Sequence, residues 1–405
     1  MQSRSDLPQD NGGTVLKIGL FTYHFSDNYG ALYQAYAIRK WLLDRGVAAE
    51  FVNYHPAYVE EGGPLDRPWD PRLWRKNATI LYMKQAHLRW RLFGDRKQRA
   101  GFETFRREIL GVTGPRIRTA EALRPCMKAY DMLICGSDQI WNPSIQRGFD
   151  PVYFLDIPGA EHIRKVAYAP SFGRSTIEPE HSAELARLAR GLDGISVREE
   201  SGRAILAQAG FAPETVEVVP DPTILLGRFD DLLDGNDADE GGVFCYALRT
   251  DAVIRDVAEA ASTTMGEPLV SARNNRQRWP DIGTGAVPTP VDWLRMLARA
   301  KLVVSNSFHG VALSIILNRP FIAVALPGKR AGMNARVINL LEMTGLQDRL
   351  VTDQTMAGAS RLSTSPIDWE AVNARLSQAR AVAENYLEGE MHACRTELSK
   401  RQHDI

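Results

Sequence analysis

The sequence predicts an α/β protein built as two Rossmann-like lobes facing each other across a cleft. Three observations carry this. Short apolar runs alternate with helix-like stretches for most of the 405 residues. The alternation breaks once, at an acidic, glycine-containing stretch, and then restarts. A 44% hydrophobic content supplies sizeable cores, and at ~150 residues per domain a chain of this length suggests two domains or three small ones.

LKIGLF (16–21) opens the first lobe as a strand, and 31–45 follows as a helix. AEFVNY (49–54), DMLICG (131–136), KVAYAP (165–170), GISV (194–197) and VEVV (216–219) are further strands, with a helix over 180–190. Strands separated by helices imply parallel sheets covered on both faces. This lobe occupies 15–228. FDDLLDGNDADEGG (229–242) holds six acids, three glycines and no β-branched residue, so it reads as a solvated linker. The second lobe, 243–366, takes its strands from VFCYAL (243–248), EPLVSA (267–272), KLVVSN (301–306) and PFIAVAL (320–326). Its helices lie over 252–265 and 309–317. A last helix, from 368 to about 386 within a 367–405 tail segment, is expected to pack back across the lobes. Two lobes of this kind hold a ligand in the cleft, at the carboxyl ends of the strands.

Composition removes several function classes. Lys+Arg and Asp+Glu both number 49, so the net charge is zero and a general nucleic-acid binder is disfavoured. The four cysteines form no CxxC pair, and scattered thiols fit a reducing cytoplasm. The first thirteen residues are polar and lack signal-peptide features, and the longest apolar runs fall far short of the ~20 residues of a membrane span. The expectation is a cytoplasmic protein, with attachment to the inner face of the plasma membrane left open. No GxGxxG, GxxxxGK(S/T) or HExxH occurs, so no metal and no cofactor are expected.

The segment 67–107 carries twelve Lys/Arg against three acids, with Trp, Tyr and Phe interleaved. Attachment to an anionic membrane is one reading. An ordinary basic surface helix is the favoured one. On a helical projection Leu81, Leu88 and Leu92 fall on one side, and Tyr82, Met83, Ala86, Trp90 and Phe93 on another, which is not one clean apolar stripe.

Four constellations carry possible chemistry. In KLVVSNSFHGVALSIILNRPFIAVALPGKR (301–330) a strand ends at Ser305-Asn306-Ser307 and a helix opens at Phe308-His309-Gly310. Free N–H groups and the helix dipole make such a turn an anion site, and His309 can bind phosphate or move a proton. Lys329, Arg330 and Arg336 follow the next strand. In ISVREESGRAIL (195–206), Arg198 follows a strand and suits a carboxylate or phosphate, or else pairs at the surface with Glu199 or Glu200. In DMLICGSDQIWNP (131–143), Asp138, Gln139, Trp141 and Asn142 suit sugar recognition, the indole by stacking; the alternative is a tight turn with Trp141 in the core. No GxSxG elbow surrounds Ser137, so a hydrolase triad is discounted. In YHFSDNYGALYQ (23–34), Asp27 or Asn28 caps a helix, and Gly30 permits close approach.

With these motifs in view, the chain resembles the polysaccharide pyruvyl transferase family, the ketal-forming enzymes of exopolysaccharide and cell-surface glycan synthesis. The resemblance rests on DNYGALYQAYAI, YDMLICGSDQIWNP, ISVREESG with VVPDPTILL, and VVSNSFHGVALSIILNRP with its PGKR loop. These run in order over roughly 17 to 350, while 58–107 matches least. The resemblance implies a GT-B-like fold and phosphoenolpyruvate as donor and co-substrate. It implies that His309, Arg198 and Lys329 match the family's functional His, Arg and basic loop residue; the chemistry then takes His309 as the acid or as a phosphate ligand, with Arg198 and Lys329 as the anion clamp. Ser305, Asn306, Ser307, Gly310, Arg330 and Arg336 fall on the donor side. Asn28, Tyr29, Asp138, Gln139, Trp141 and Asn142 fall on the acceptor side, for a sugar that is a lipid-linked oligosaccharide in this reading. Oligomeric state is left open. The rivals are a GT-B glycosyltransferase using a nucleotide sugar and a non-catalytic glycan-binding protein. Such glycosyltransferases carry a ribose-holding Glu seven residues before the strand-opening Pro; here that position is Leu313.

Overall fold

The computed structural model describes residues 15–60, 62–146, 148–233, 241–273 and 282–403. The chain forms two six-stranded sheets, parallel throughout. The first comprises β1 (Lys17–Phe21), β2 (Ala48–Phe51), β3 (Met132–Cys135), β4 (Arg164–Ala167), β5 (Gly194–Val197) and β6 (Glu217–Val218), in the order β2-β1-β3-β4-β5-β6. The second comprises β7 (Gly241–Tyr246), β8 (Leu269–Ala272), β9 (Thr284–Ala286), β10 (Ala300–Ser305), β11 (Phe321–Val324) and β12 (Leu350–Val351), in the order β12-β11-β10-β7-β8-β9. This is the two-lobed, GT-B-like α/β class predicted above. The central strands read as continuous apolar runs because helices cover both faces: MLIC in β3 and FIAV in β11 are buried at every position.

Strand order reverses between β1 and β3 in the first sheet, and between β7 and β10 in the second. Chain segments leaving the carboxyl ends of such neighbours diverge and open a crevice. Both crevices hold motifs singled out in the sequence. Gly136-Ser137-Asp138 follows β3, and Ser305-Asn306-Ser307 closes β10.

The helices that matter for the site are α1 (Tyr29–Leu43), α2 (Trp74–Phe93), α3 (Arg96–Thr104), α4 (Glu200–Gln208), α5 (Pro290–Arg299), α6 (Phe308–Ile316), α7 (Ala335–Thr344) and α8 (Trp369–His403). Asn28 caps α1, its side chain accepting from the Ala31 N–H at 3.4 Å. Ser307 caps α6 through the Gly310 N–H. α8 runs further than the sequence reading placed it. Val372, Leu376, Ala383, Leu387, Met391 and Cys394 are all buried at helical spacing, so the apolar seam continues past Tyr386. Of the acidic stretch, 230–233 is one helical turn with Phe229 and Leu232 buried. The remainder, 234–240, lies outside the described residues.

The two sheets share one hydrophobic core. Tyr29, Tyr33 and Phe105 from the first half pack with Phe229, Tyr246 and Trp293. The Tyr29 ring stacks on Trp293 at 5.0 Å, nearly coplanar, and its hydroxyl donates to the Pro288 carbonyl at 2.8 Å. Tyr33 donates to the Pro290 carbonyl at 2.7 Å. Tyr29, 3% exposed, thus belongs to the packed junction between lobes and presents no face to a cleft; this corrects its placement on the acceptor side.

Candidate active site

Five strand ends converge at the junction. Arg198 leaves β5, Asp221 follows β6, Ser137 and Gln139 follow β3, Ser171 follows β4, and His309 stands in the first turn of α6 after β10. The Asp221 carboxylate is the hub. Its Oδ2 accepts from Arg198 Nη1 at 2.9 Å, lies 3.5 Å from His309 Nε2, and accepts from Ser137 Oγ at 3.3 Å. Its Oδ1 accepts from the Thr223 N–H and hydroxyl at 3.0 and 2.8 Å. Burial pushes this carboxyl up, but His309, Arg198 and the Thr223 N–H outweigh burial and hold it well below the usual carboxylate range. Sequence reasoning assigned Asp221 no role. The signal was present in VVPDPTILL, an acid three residues past the end of the strand beside the one that Arg198 leaves.

Arg198 and Glu199 do form a pair, at 3.4 Å, but not at the surface: their side chains are 3% and 2% exposed. Ser171 donates to the other oxygen of Glu199. The Arg198 guanidinium also lies over the Phe308 ring at 4.7 Å. Its Nη2 is buried without a partner. Arg336, at the start of α7, is buried alongside. Burial first, then the Arg198 charge, pushes its pKa down to about 10, so it stays protonated at neutral pH. The Gln139 amide, oxygen turned toward it, accepts from Arg336 at 3.1 and 3.2 Å, and the Arg336 Nε has no partner. Arg198, Pro220, Asp221, Phe308, Arg336 and Leu340 line a small cleft here. A second hollow, bounded by Gly241, Phe244, Asp292, Arg295 and Arg299, opens at the amino ends of β7 and β10, the end of the sheet remote from this cluster.

His309 is held from the opposite lobe. A Cβ on Gly30 would stand 2.1 Å from its Nδ1, so the first turn of α1 closes on the imidazole only because residue 30 is glycine. Gly136, at φ +131°, similarly packs where a Cβ would meet the Tyr168 carbonyl.

The other sequence candidates divide. Asp138 is half-buried and acts electrostatically on both Arg198 and Arg336. Asn142 is buried beside Gln139 at 2.8 Å. Asn28 is the half-buried cap at the cluster's edge. Trp141 does not face a ligand. It is fully buried, stacks on Phe154 at 4.7 Å and donates to the Tyr153 carbonyl, because the run beyond β3 turns back into the core. Ser305 and Asn306 are engaged by backbone. Ser305 Oγ donates to the Tyr246 carbonyl and accepts from the Ser307 N–H; Asn306 accepts from Leu248 and donates to Arg249. These bonds fasten the end of β10 to the chain after β7, so neither side chain is open to a donor. Ser307 caps α6, with Gly310 in its first turn. The side chains of Lys329 and Arg330 lie outside the described residues; their backbone forms part of a 3-10 turn, Gly328–Asn334. Ser137 donates to the Ala169 carbonyl and to Asp221, and no hydrogen bond joins it to His309 among the described residues. No cluster of His, Cys, Asp and Glu suited to a metal occurs among the described residues. No helix of the described chain is long and apolar enough to cross a membrane.

Two parallel lobes meeting over a buried guanidinium–carboxylate–imidazole cluster define the class, a two-lobed α/β architecture with a polar site at the junction. The particular family follows from sequence: the polysaccharide pyruvyl transferase model matches residues 28–326, and the chain belongs to that family. No curated protein matches the chain. Similar solved structures include S. aureus MnaA with UDP (11% identity, 93% of this chain and 97% of that one, TM-score 0.47). A Methanocaldococcus jannaschii UDP-GlcNAc 2-epimerase with UDP-GlcNAc and UDP is similar at 10% identity, 87% and 94% coverage and TM-score 0.45. Arabidopsis thaliana UGT89C1 complexed with quercetin is similar at 11% identity, 96% and 99% coverage and TM-score 0.46.

Proposed function

We propose that this protein transfers pyruvate from phosphoenolpyruvate to two hydroxyls of one sugar in a cell-surface glycan precursor, forming a cyclic ketal and releasing phosphate. The observation that carries the reading is the pair of buried guanidiniums, Arg198 and Arg336, each with an N–H that has no protein partner. Buried N–H groups of this kind call for an acceptor. Phosphoenolpyruvate brings a phosphate and a carboxylate. Among the described groups the two guanidiniums are balanced by Asp221 and Glu199, so we assign the cationic surplus to Lys329, Arg330 and the N-terminal turn of α6.

In this reading one sugar hydroxyl adds to C2 of the donor as C3 takes a proton from His309, and the proton of that hydroxyl passes to the donor's phosphate, which carries it away. The C2–O bond to phosphate then breaks, giving an oxocarbenium-like centre and free phosphate. The second hydroxyl attacks C2, and its proton leaves to the imidazole or the phosphate. Asp221 remains an anion throughout and stabilises the protonated imidazole from 3.5 Å, leaving Nε2 without a hydrogen-bond partner and free to deliver its proton. Asn28, Asp138, Gln139 and Asn142 surround the acceptor side. The reaction needs no cofactor, and it belongs in the cytoplasm, where phosphoenolpyruvate and lipid-linked sugars meet. A nucleotide-sugar reading lacks its ribose-holding acid: Leu313 is fully buried in α6.

The test is phosphate release from phosphoenolpyruvate with a panel of lipid-linked and synthetic sugars. Arg198→Ala should lose about one to two decades in donor affinity. His309→Ala should lose ~10²–10⁴ in turnover with a smaller effect on binding. His309→Lys should stay inactive if proton transfer is the task. Full turnover in His309→Ala sinks the mechanism. Thermal stabilisation by UDP-sugars with no response to phosphoenolpyruvate sinks the donor assignment.

A further inference from the structure

The large apolar side chains that remain exposed concentrate in and around α2. Trp69, Trp74, Leu81, Leu88, Leu92 and Phe93 are each more than half exposed. The two apolar sides of this helix turn out to have separate roles. One side packs on the protein along its middle, with Tyr82 and Phe93 exposed at its margin. Asn77 and Ile80 are buried, Met83, Ala86 and Trp90 are half-buried, and Trp90 Nε1 donates to Asp27 at 2.9 Å. The other side carries Trp74, Leu81, Leu88 and Leu92 at i, i+7, i+14 and i+18, a narrow stripe open along its whole length. Exposed Lys84 and Arg91 border the stripe on one flank and exposed Arg89 on the other.

We propose that this stripe docks the protein on an anionic lipid surface. The Trp and Leu side chains enter the headgroup boundary while the flanking cations meet acidic headgroups. Charge selects this occupant. The segment 67–107 holds twelve cations against three acids, so a second copy seated on the same face about a twofold axis would set like charge against like. The geometry adds a reason. Trp90 near the end of α2 is tied to Asp27, next to the Asn28 cap of α1, so the docked helix is anchored to the chain that enters α1. The proposal stands whether or not the pyruvyl-transfer reading holds.

The test is sedimentation of the full-length protein with phosphatidylcholine vesicles, with and without phosphatidylglycerol. Pelleting should require phosphatidylglycerol and reverse at about 0.5 M salt, where the Debye length is only a few ångströms. The combined variant Leu81→Ser, Leu88→Ser, Leu92→Ser should bind at least about tenfold more weakly, with circular dichroism and melting temperature unchanged because the replaced groups touch solvent. Lys84→Glu with Arg91→Glu should weaken binding to anionic vesicles without altering the apolar stripe. Absent pelleting, equal pelleting on neutral vesicles, or undiminished binding by both variants overturns the proposal. So does a concentration-dependent doubling of mass that the triple variant abolishes.

Discussion

The contact between Gly30 and His309 makes one methyl group a sharp probe. Gly30→Ala adds a Cβ 2.1 Å from the imidazole Nδ1, so the ring must move. Alanine also raises helix propensity by about 1 kcal/mol, which pushes stability the other way. The expected result is a well-folded variant whose turnover falls by about 10²-fold, with donor affinity nearly kept. Melting temperature and single-turnover phosphate release read the two effects separately. Asp221→Asn has a different signature. The folded carboxyl is held below its usual range, so its ionised form contributes stability above the unfolded value near 3.9 and loses that contribution as pH falls through the folded value. Asp221→Asn should therefore cost roughly 3–5 kcal/mol at pH 7, because Arg198 loses its closest partner, and the gap should narrow below about pH 4. Urea unfolding across that range checks the sign.

At this scale the sequence announced positions better than directions. Arg198, His309 and Arg336 each follow a strand end or open a helix, and spacing alone marks such places. Whether Trp141 faces a cleft or the core depends on how the chain turns after β3, which the local residues do not encode. Asp221 went unassigned because a lone Asp between two prolines also reads as a turn; only Arg198 and His309, distant in sequence, reveal it as a hub.

Among the elements, α8 is fastened to the first sheet by ion pairs as well as by its apolar seam. Arg164 on β4 pairs with Glu390 at 2.8 Å and with Glu397; Arg164 and Glu390 are 12% and 16% exposed. Arg164→Ala should cost about 2 kcal/mol, less than a fully buried pair because Glu397 reaches solvent. The loss should persist at high salt, which a fully exposed pair would not survive, and chemical denaturation at two ionic strengths measures it. Arg45, which pairs with Glu384 and Glu388 nearer the surface, is the internal comparison. The strongly apolar strands and α1 were legible from pattern. β9 and β12 were not: neither TGA nor LV sits in a longer apolar run, as two-residue β6 does within VEVV. α2 shows the opposite failure: its pattern was read, but two apolar sides looked like a defect until packing on one side separated them.

For the molecule as a whole, the shared aromatic junction predicts joint unfolding. Trp293 is fully buried between Tyr29, Tyr33 and Tyr246. Trp293→Ala should destabilise by about 3–5 kcal/mol. Because its partners come from both halves, calorimetry should show one transition moving down rather than two transitions separating.

That junction also places a demand on biosynthesis. Tyr29 and the Pro288 carbonyl it bonds are 259 positions apart. At ribosomal speeds of 5–20 residues per second, roughly 13 to 50 s pass between the appearance of one and of the other. Until Trp293 appears, the nascent chain carries Tyr29 and Tyr33 covered only in part, by Phe102 and Phe105. The first sheet can assemble early, yet its most aromatic surface is completed only when the last third of the message supplies Trp293.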